Sequence, residues 1–275
     1  MKELETLAPV APVRTLAGYI GGKRALSTRL VPMIGATPHD CYVEPFVGMG
    51  GIFFRRDRRP KAEVINDISA DVTTLFRLLQ RHYQQLLDVL KWQVTSRADF
   101  ERLVRVDPET LTDLERAARF LFIQRLAFGG KVMGRTFGTA TTGPARFDLT
   151  KLVPMLEDVH ERLASVAIER LPFDRLIPRY DRPHTLFYLD PPYWGCTDDY
   201  GRNVFSDADF HRLSDLLRAL EGRFILSIND VPEIREIFSW ATIEPVGLNY
   251  RVSGKMTAAR ELIITSPCAA TSRQR

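Results

Sequence analysis

At 275 residues the chain is long enough to bury a full core, as one large domain or as a domain carrying an insertion. Its 45% hydrophobic and 26% charged residues are those of a soluble globular protein, and no apolar run approaches the length of a membrane span. A formal charge of +4 points only weakly to a polyanionic partner.

The N-terminal stretch MKELETLAPVAPVRTLAG lacks the continuous apolar core of a signal peptide, so it reads as a loose arm in a cytoplasmic protein. In chain order, strand-like runs follow at 41–46, 62–66, 166–169, 184–190, 223–229, 241–246 and 260–265. Helical patterns alternate with them at 23–34, 51–59, 69–92, 151–164, 207–220 and 231–240. Alternation of this kind predicts an α/β fold, a Rossmann-like sheet with helices on both faces.

Between residues 76 and 149 the alternation stops. Helical patterns at 97–106 and 111–128 lead into FGGKVMGRTFGTATTGPARF, whose glycines suit a hairpin or loop. This reading divides the chain into a discontinuous catalytic domain, 1–75 with 150–275, and a mainly helical insertion, 76–149. The insertion carries 12 Lys or Arg against 8 Asp or Glu, a surplus equal to that of the whole chain. No acid occurs between Glu115 and Asp148, while Arg116, Arg119, Arg125, Lys131, Arg135 and Arg146 do, which predicts a localised basic face. A second basic run, RRDRRPK at 55–61, reads as solvated surface.

Cys41, Cys196 and Cys268 are widely separated, with no CxxC pair and no histidine at ligand spacing. Neither a structural zinc nor a disulfide framework is expected, and no metal is implied.

The motifs cluster at strand ends. YVEPFVGMGGIFF runs from a strand through Phe46, Gly48 and Gly50, and glycines at such a turn let backbone approach a ligand. Asp67 follows at the end of the next strand, placed to accept hydrogen bonds from a ribose hydroxyl pair. Together they suit an adenosine-type cofactor. A dinucleotide-binding dehydrogenase shares this spacing, but Phe53 stands where the third glycine of G-x-G-x-x-G would be. A tight turn with Asp67 capping the following helix also fits. Upstream, GYIGGKR places Lys23 after two glycines, where its ammonium can reach a carboxylate.

The run FYLDPPYWG delivers Asp190 at the end of an apolar strand, where open α/β sheets bind ligands. Pro191 and Pro192 stiffen the next segment and leave their carbonyls as acceptors, while Tyr193 offers a flat face. A ring amine is a poor nucleophile because its lone pair is delocalised. Two acceptors, the Asp190 carboxylate and the Pro191 carbonyl, would draw that nitrogen toward tetrahedral geometry and aim its lone pair at an electrophile. The competing reading is a proline-rich turn with an Asx contact.

These residues, GGK, then VEPFVGMG, then an acid, an insertion and DPPY, resemble the Dam-like (D12 class) adenine-N6 DNA methyltransferases from Tyr19 to Thr265. The resemblance implies S-adenosylmethionine as methyl donor and an adenine flipped from double-stranded DNA as substrate. It implies Tyr19 and Lys23 at the methionine end of the cofactor, the Phe46 to Gly50 loop around it, and Phe173 beside its adenine. Asp190, Pro191, Pro192 and Tyr193 then become the target-base residues, with Asp190 also at the cofactor, close to the reactive centre. Arg125, Lys131, Arg135, Arg146 and Lys255 are the expected DNA contacts. Tyr19 stands where tryptophan is common, and the insertion only loosely resembles the GATC-reading enzymes. The resemblance implies that a small solitary enzyme of this kind is often encoded by a phage or prophage, with restriction-modification as the other setting. Cytosine-N4 transfer needs similar geometry, and a DNA-binding relative without catalysis is the reading from another class.

Overall fold

The computed structural model describes residues 7–139, 143–196, 201, 204–252 and 255–267, without the side chains of 248–259. Strands are β1 (Ala8–Pro9), β2 (Cys41–Glu44), β3 (Arg58–Arg59), β4 (Ala62–Asn66), β5 (Ala167–Glu169), β6 (Thr185–Leu189), β7 (Arg223–Asn229), β8 (Thr242–Val252) and β9 (Lys255–Thr265). Helices are α1 (Ser27–Ala36), α2 (Ala70–Arg81), α3 (Tyr83–Leu90), α4 (Arg97–Arg105), α5 (Asp113–Leu126), α6 (Leu149–Leu163), α7 (Phe173–Tyr180), α8 (Asp207–Arg218) and α9 (Pro232–Ile237).

Seven strands form one sheet in the order β5-β4-β2-β6-β7-β9-β8. The first five are parallel, and β9 runs antiparallel to both β7 and β8. The expected α/β class stands, with the physical reason visible in the strands. Alternate residues are buried on opposite faces: Tyr42, Ile65, Leu186, Tyr188, Ile225 and Ile263 on one, Val43, Val64, Phe187, Leu189, Leu226 and Ile264 on the other. Each fully buried aliphatic or aromatic side chain contributes roughly 1.5–3 kcal/mol. The first face packs α1 to α6, and the second packs α7 to α9.

The helices proposed as an insertion share that first core. Leu86, Phe100, Phe120 and Phe122 join the same cluster as Tyr42 and Ile65, so α3 to α5 continue that core through their packing on α2, α6 and one another. Thr112 caps α5 through a capping box, with Glu115 N–H donating to Thr112 Oγ1 at 3.3 Å and Thr112 N–H donating to Glu115 Oε2 at 3.0 Å. The glycine-rich segment closes as a loop, with a bridge between Ala127 and Phe137 and Phe128 N–H donating to the Thr136 carbonyl at 2.8 Å.

Four sequence expectations change. The helix expected at 51–59 is a three-residue 3-10 turn, Phe53–Arg55, because Arg56 is extended and buries its guanidinium against Glu63 and the Tyr42 ring. The basic run therefore is not all solvated: Arg56 is 1% exposed. Arg162 of α6 also reaches Glu63, at 2.7 Å, making a buried Arg56–Glu63–Arg162 cluster. The helix expected at 69–92 divides at His82, with φ −131° and ψ 38°. The N-terminal arm is tied down, with β1 paired to β3 and Val13 N–H donating to the Phe54 carbonyl at 2.8 Å. Helix α7, eight residues bounded by Pro172 and containing Pro178, gave no clear periodic signal.

Candidate active site

Strands β2, β4, β6 and β7 end at one edge of the sheet, and β2 beside β6 is where the chain order reverses direction across the sheet. Crevices at such switch points bind ligands in open α/β sheets. A cavity of about 590 Å³ lies here, bordered by Tyr19, Lys23, Phe46, Gly48, Asp67 and Asp190.

One end is built on the glycine turn after β2. Gly48 and Gly50 have φ of +50° and +73°, which only glycine adopts readily. A Cβ on Gly48 would stand 3.0 Å from the Tyr19 ring, and one on Gly50 would stand 2.3 Å from the Phe54 ring. Asp67 fastens the turn, its Oδ2 accepting from Gly48 N–H at 2.9 Å and its Oδ1 from Ser69 N–H at 2.8 Å. Asp67 does not itself cap α2, whose N-cap is Ser69, with its hydroxyl accepting from Val72 N–H at 3.5 Å; each Asp67 oxygen keeps a second lone pair, so a ribose acceptor role is compatible with this geometry. Burial pushes its carboxyl up to about 6, against the opposing pull of those two N–H donors.

Asn66, which sequence reasoning passed over, pins the walls together. Its side-chain amide donates to the carbonyls of Pro45 at 2.8 Å and Leu171 at 3.0 Å and accepts from Leu171 N–H at 2.8 Å. Phe46, Phe173 and Phe205 close this end as an aromatic trio with ring centroids 5.6–5.9 Å apart. Phe205 lies 15 positions after Asp190 and offered no motif.

At the other end Asp190 emerges from β6 with 21% of its side chain open. Lys23, only 2% exposed, places its Nζ 2.8 Å from Asp190 Oδ1, donates to the Tyr193 hydroxyl at 2.5 Å, and lies 3.7 Å from Glu261 Oε2. Lys23 sits in the turn before α1 rather than in the helix, Ser27 N–H donating to its carbonyl at 2.7 Å. The reach to a carboxylate expected of Lys23 is met by Asp190. Ser227 Oγ lies 3.5 Å from the same Asp190 Oδ1 and 2.8 Å from the Tyr188 hydroxyl. Burial pushes the Asp190 carboxyl up to about 6, with the Lys23 ammonium pulling the other way. Pro191 and Pro192 are buried and Tyr193 is half-buried. Trp194, unassigned by sequence, packs on Phe210 at 5.0 Å between centroids, and Asn229 holds its N–H at 3.0 Å and its carbonyl at 3.1 Å.

Behind the glycine turn, Glu44 is 2% exposed, and burial pushes its carboxyl up to about 8 although the Tyr42 hydroxyl donates to it at 2.7 Å.

The expected basic face is thinner than its sequence suggests. Arg125 is a brace: its guanidinium donates to the carbonyls of Leu16 and Arg146, the latter at 2.8 Å, and burial lowers its pKa. Arg135 donates to Gln124 Oε1 at 3.2 Å, Arg119 to the Leu103 carbonyl at 2.8 Å, and Arg116 pairs with Asp71 at 2.6 Å. Backbone carbonyls and local acids occupy these guanidiniums, a competition that a charge count does not register. Lys131 and Arg146 are exposed. Lys255 opens β9, outside the side chains described.

Comparison with known proteins gives a family. Residues 19–252 match the model of the D12 class N6 adenine-specific DNA methyltransferases. The chain is 23% identical over 230 residues to the type II methyltransferase M.CviBI of Paramecium bursaria Chlorella virus NC1A, covering 82% of this chain and 86% of that protein. It is 24% identical over 277 residues to the type II methyltransferase M1.LlaDCHI of Lactococcus lactis subsp. cremoris, covering 92% and 95%. It is 22% identical over 280 residues to a DNA adenine methylase of Haemophilus influenzae, covering 94% and 96%. With the match spanning both ends of the cavity, the chain belongs to the D12 class N6 adenine-specific DNA methyltransferase family.

Proposed function

We propose that this enzyme transfers a methyl group from S-adenosylmethionine to N6 of an adenine flipped out of double-stranded DNA, within a defined target sequence. The observation that carries the reading is the continuity of one cavity from Asp67 and the aromatic trio to Asp190. The chemistry of the donor set fits the cofactor. Asp67 offers lone pairs to a ribose, Phe46 and Phe173 offer faces to an adenine, and the absent Cβ atoms of Gly48 and Gly50 let the Tyr19 and Phe54 rings pack against the turn that borders the cavity. Tyr19 borders the turn from the other side. When bound, S-adenosylmethionine supplies an electrophilic methyl group.

The protein's own residues prepare the amine. Asp190 and the Pro191 carbonyl each accept one N–H, concentrating the N6 lone pair on the side away from those bonds. Pro191 and Pro192 hold the acceptors rigid, and the Tyr193 ring supports the base. N6 would carry a surplus proton once methylated, and the Asp190 carboxylate would accept it and release it to solvent. Lys131, Arg146 and Lys255 supply contacts to the DNA backbone. Incubation of the enzyme with duplex DNA and S-adenosylmethionine, followed by nucleoside mass spectrometry, tests the reading. N6-methyladenine is expected; N4-methylcytosine alone, or no methylated base with cofactor bound, overturns it.

A further inference from the structure

We infer that Glu261 is a positioning residue for methyl transfer, holding the Tyr193 hydroxyl and sharing Lys23 with Asp190, so that the Asp190 carboxylate remains available to the target amine. The inference rests on the assignment of Asp190 and Tyr193 to the target base. Glu261 lies on β9, outside the segment matched to the family.

Three observations converge. Glu261 is 2% exposed, and its Oε1 accepts from the Tyr193 hydroxyl at 2.6 Å while its Oε2 lies 3.7 Å from Lys23 Nζ. The Lys23 ammonium also lies 4.2 Å from the centroid of the Tyr193 ring, so one cation touches both aromatic and acid. Finally, Glu261 is the cross-strand partner of Asn229, the residue that clamps the backbone of Trp194. A single register position on β7 and β9 thus secures both aromatic residues that follow Pro192.

One buried cation between two carboxylates divides its attraction. With Gln in place of Glu261, Lys23 has Asp190 as its one carboxylate partner, drawing charge from the acceptor that must polarise the amine, and the Tyr193 hydroxyl is left with a neutral, weaker acceptor. The negative charge of Glu261 also helps to raise the Asp190 carboxyl, so removing it lowers the pH at which Asp190 ionises.

The test uses the full chain with S-adenosylmethionine and duplex DNA. Glu261→Gln should keep cofactor affinity within about twofold, lower kcat by about a hundredfold through misplacement of the acceptors, and shift the acidic limb of the pH profile to lower pH. Combining it with Tyr193→Phe should lower kcat by less than the product of the two single effects. Glu261→Asp, which keeps the charge, should return the acidic limb to its wild-type position and serves where Glu261→Gln fails to fold. Wild-type turnover in Glu261→Gln, a lowered kcat with an unmoved acidic limb, lost cofactor binding, or multiplicative effects with Tyr193→Phe overturn the inference. Wild-type turnover in Asp190→Asn instead removes the underlying assignment. An inactive Asp190→Asn beside a normal Glu261→Gln removes the inference alone.

Discussion

The Lys23 ammonium donates to the Tyr193 hydroxyl at 2.5 Å across 170 positions of sequence, and the same nitrogen lies 2.8 Å from Asp190 Oδ1. The glycine-lysine motif near the N-terminus and DPPY are therefore one site, joined where Lys23 of the turn before α1 meets Asp190 at the end of β6 and Glu261 within β9. Asp190→Ala removes an acceptor that matters as the amine attacks. Methyl transfer should fall by at least ~10²-fold while the protein stays folded and binds cofactor, measured by a methylation assay beside thermal unfolding and cofactor titration.

The pH dependences of activity and stability should oppose each other. Activity needs Asp190 ionised, so kcat/KM should fall as pH drops below about 6. Asp190 and Asp67 both titrate higher in the folded protein than the ordinary 3.8, so the native state holds protons that the unfolded chain has released. Stability should consequently decline as pH rises from 3.8 to about 6, and Glu44, raised from 4.5 to about 8, continues that trend. Chemical denaturation at several pH values checks the sign, and Glu44→Gln should flatten the upper part of the slope.

Glu63 joins two buried guanidiniums, Arg56 and Arg162, each with a side chain 2% exposed. Glu63→Gln leaves them facing each other without a counter-charge and should destabilise the fold by about 3–5 kcal/mol, read from urea unfolding. Replacing all three with apolar residues of similar volume should lose far less.

Gly130 has φ +69°, and a Cβ there would stand 2.8 Å from the backbone of Gly18 and Tyr19. Its carbonyl accepts from Ile20 N–H at 3.0 Å and from Gln124 Nε2 at 2.8 Å. Gly130→Ala should destabilise by about 1–3 kcal/mol and weaken cofactor binding by displacing Tyr19, as checked by thermal unfolding and cofactor titration.

Lys131→Ala should weaken DNA binding and reduce the slope of log K against log salt by about 1. Arg125→Ala should instead lower stability, because its guanidinium is committed to the carbonyls of Leu16 and Arg146. Fluorescence binding at several salt concentrations, beside unfolding curves, separates the two roles.

The chemistry was legible in the sequence because it depends on residue types at strand ends. An apolar run followed by Asp190 and two prolines, or a glycine turn with an acid after the next strand, constrains local backbone directly. The same holds for the sheet, whose strands carry apolar residues on both faces. Long-range pairing was not legible in this way. Glu261, Asn229, Ser227 and Asn66 acquire their tasks from strand register, which places residues far apart in sequence within hydrogen-bonding distance. Arginine shows the limit most plainly: Arg125 and Arg146 look alike in a basic stretch, yet folding sets one against backbone carbonyls and leaves the other at the surface. Local pattern specifies which groups can do methyl-transfer chemistry. Packing specifies which partners they meet, because hydrogen bonds and burial depend on distances that no run of neighbouring residues contains.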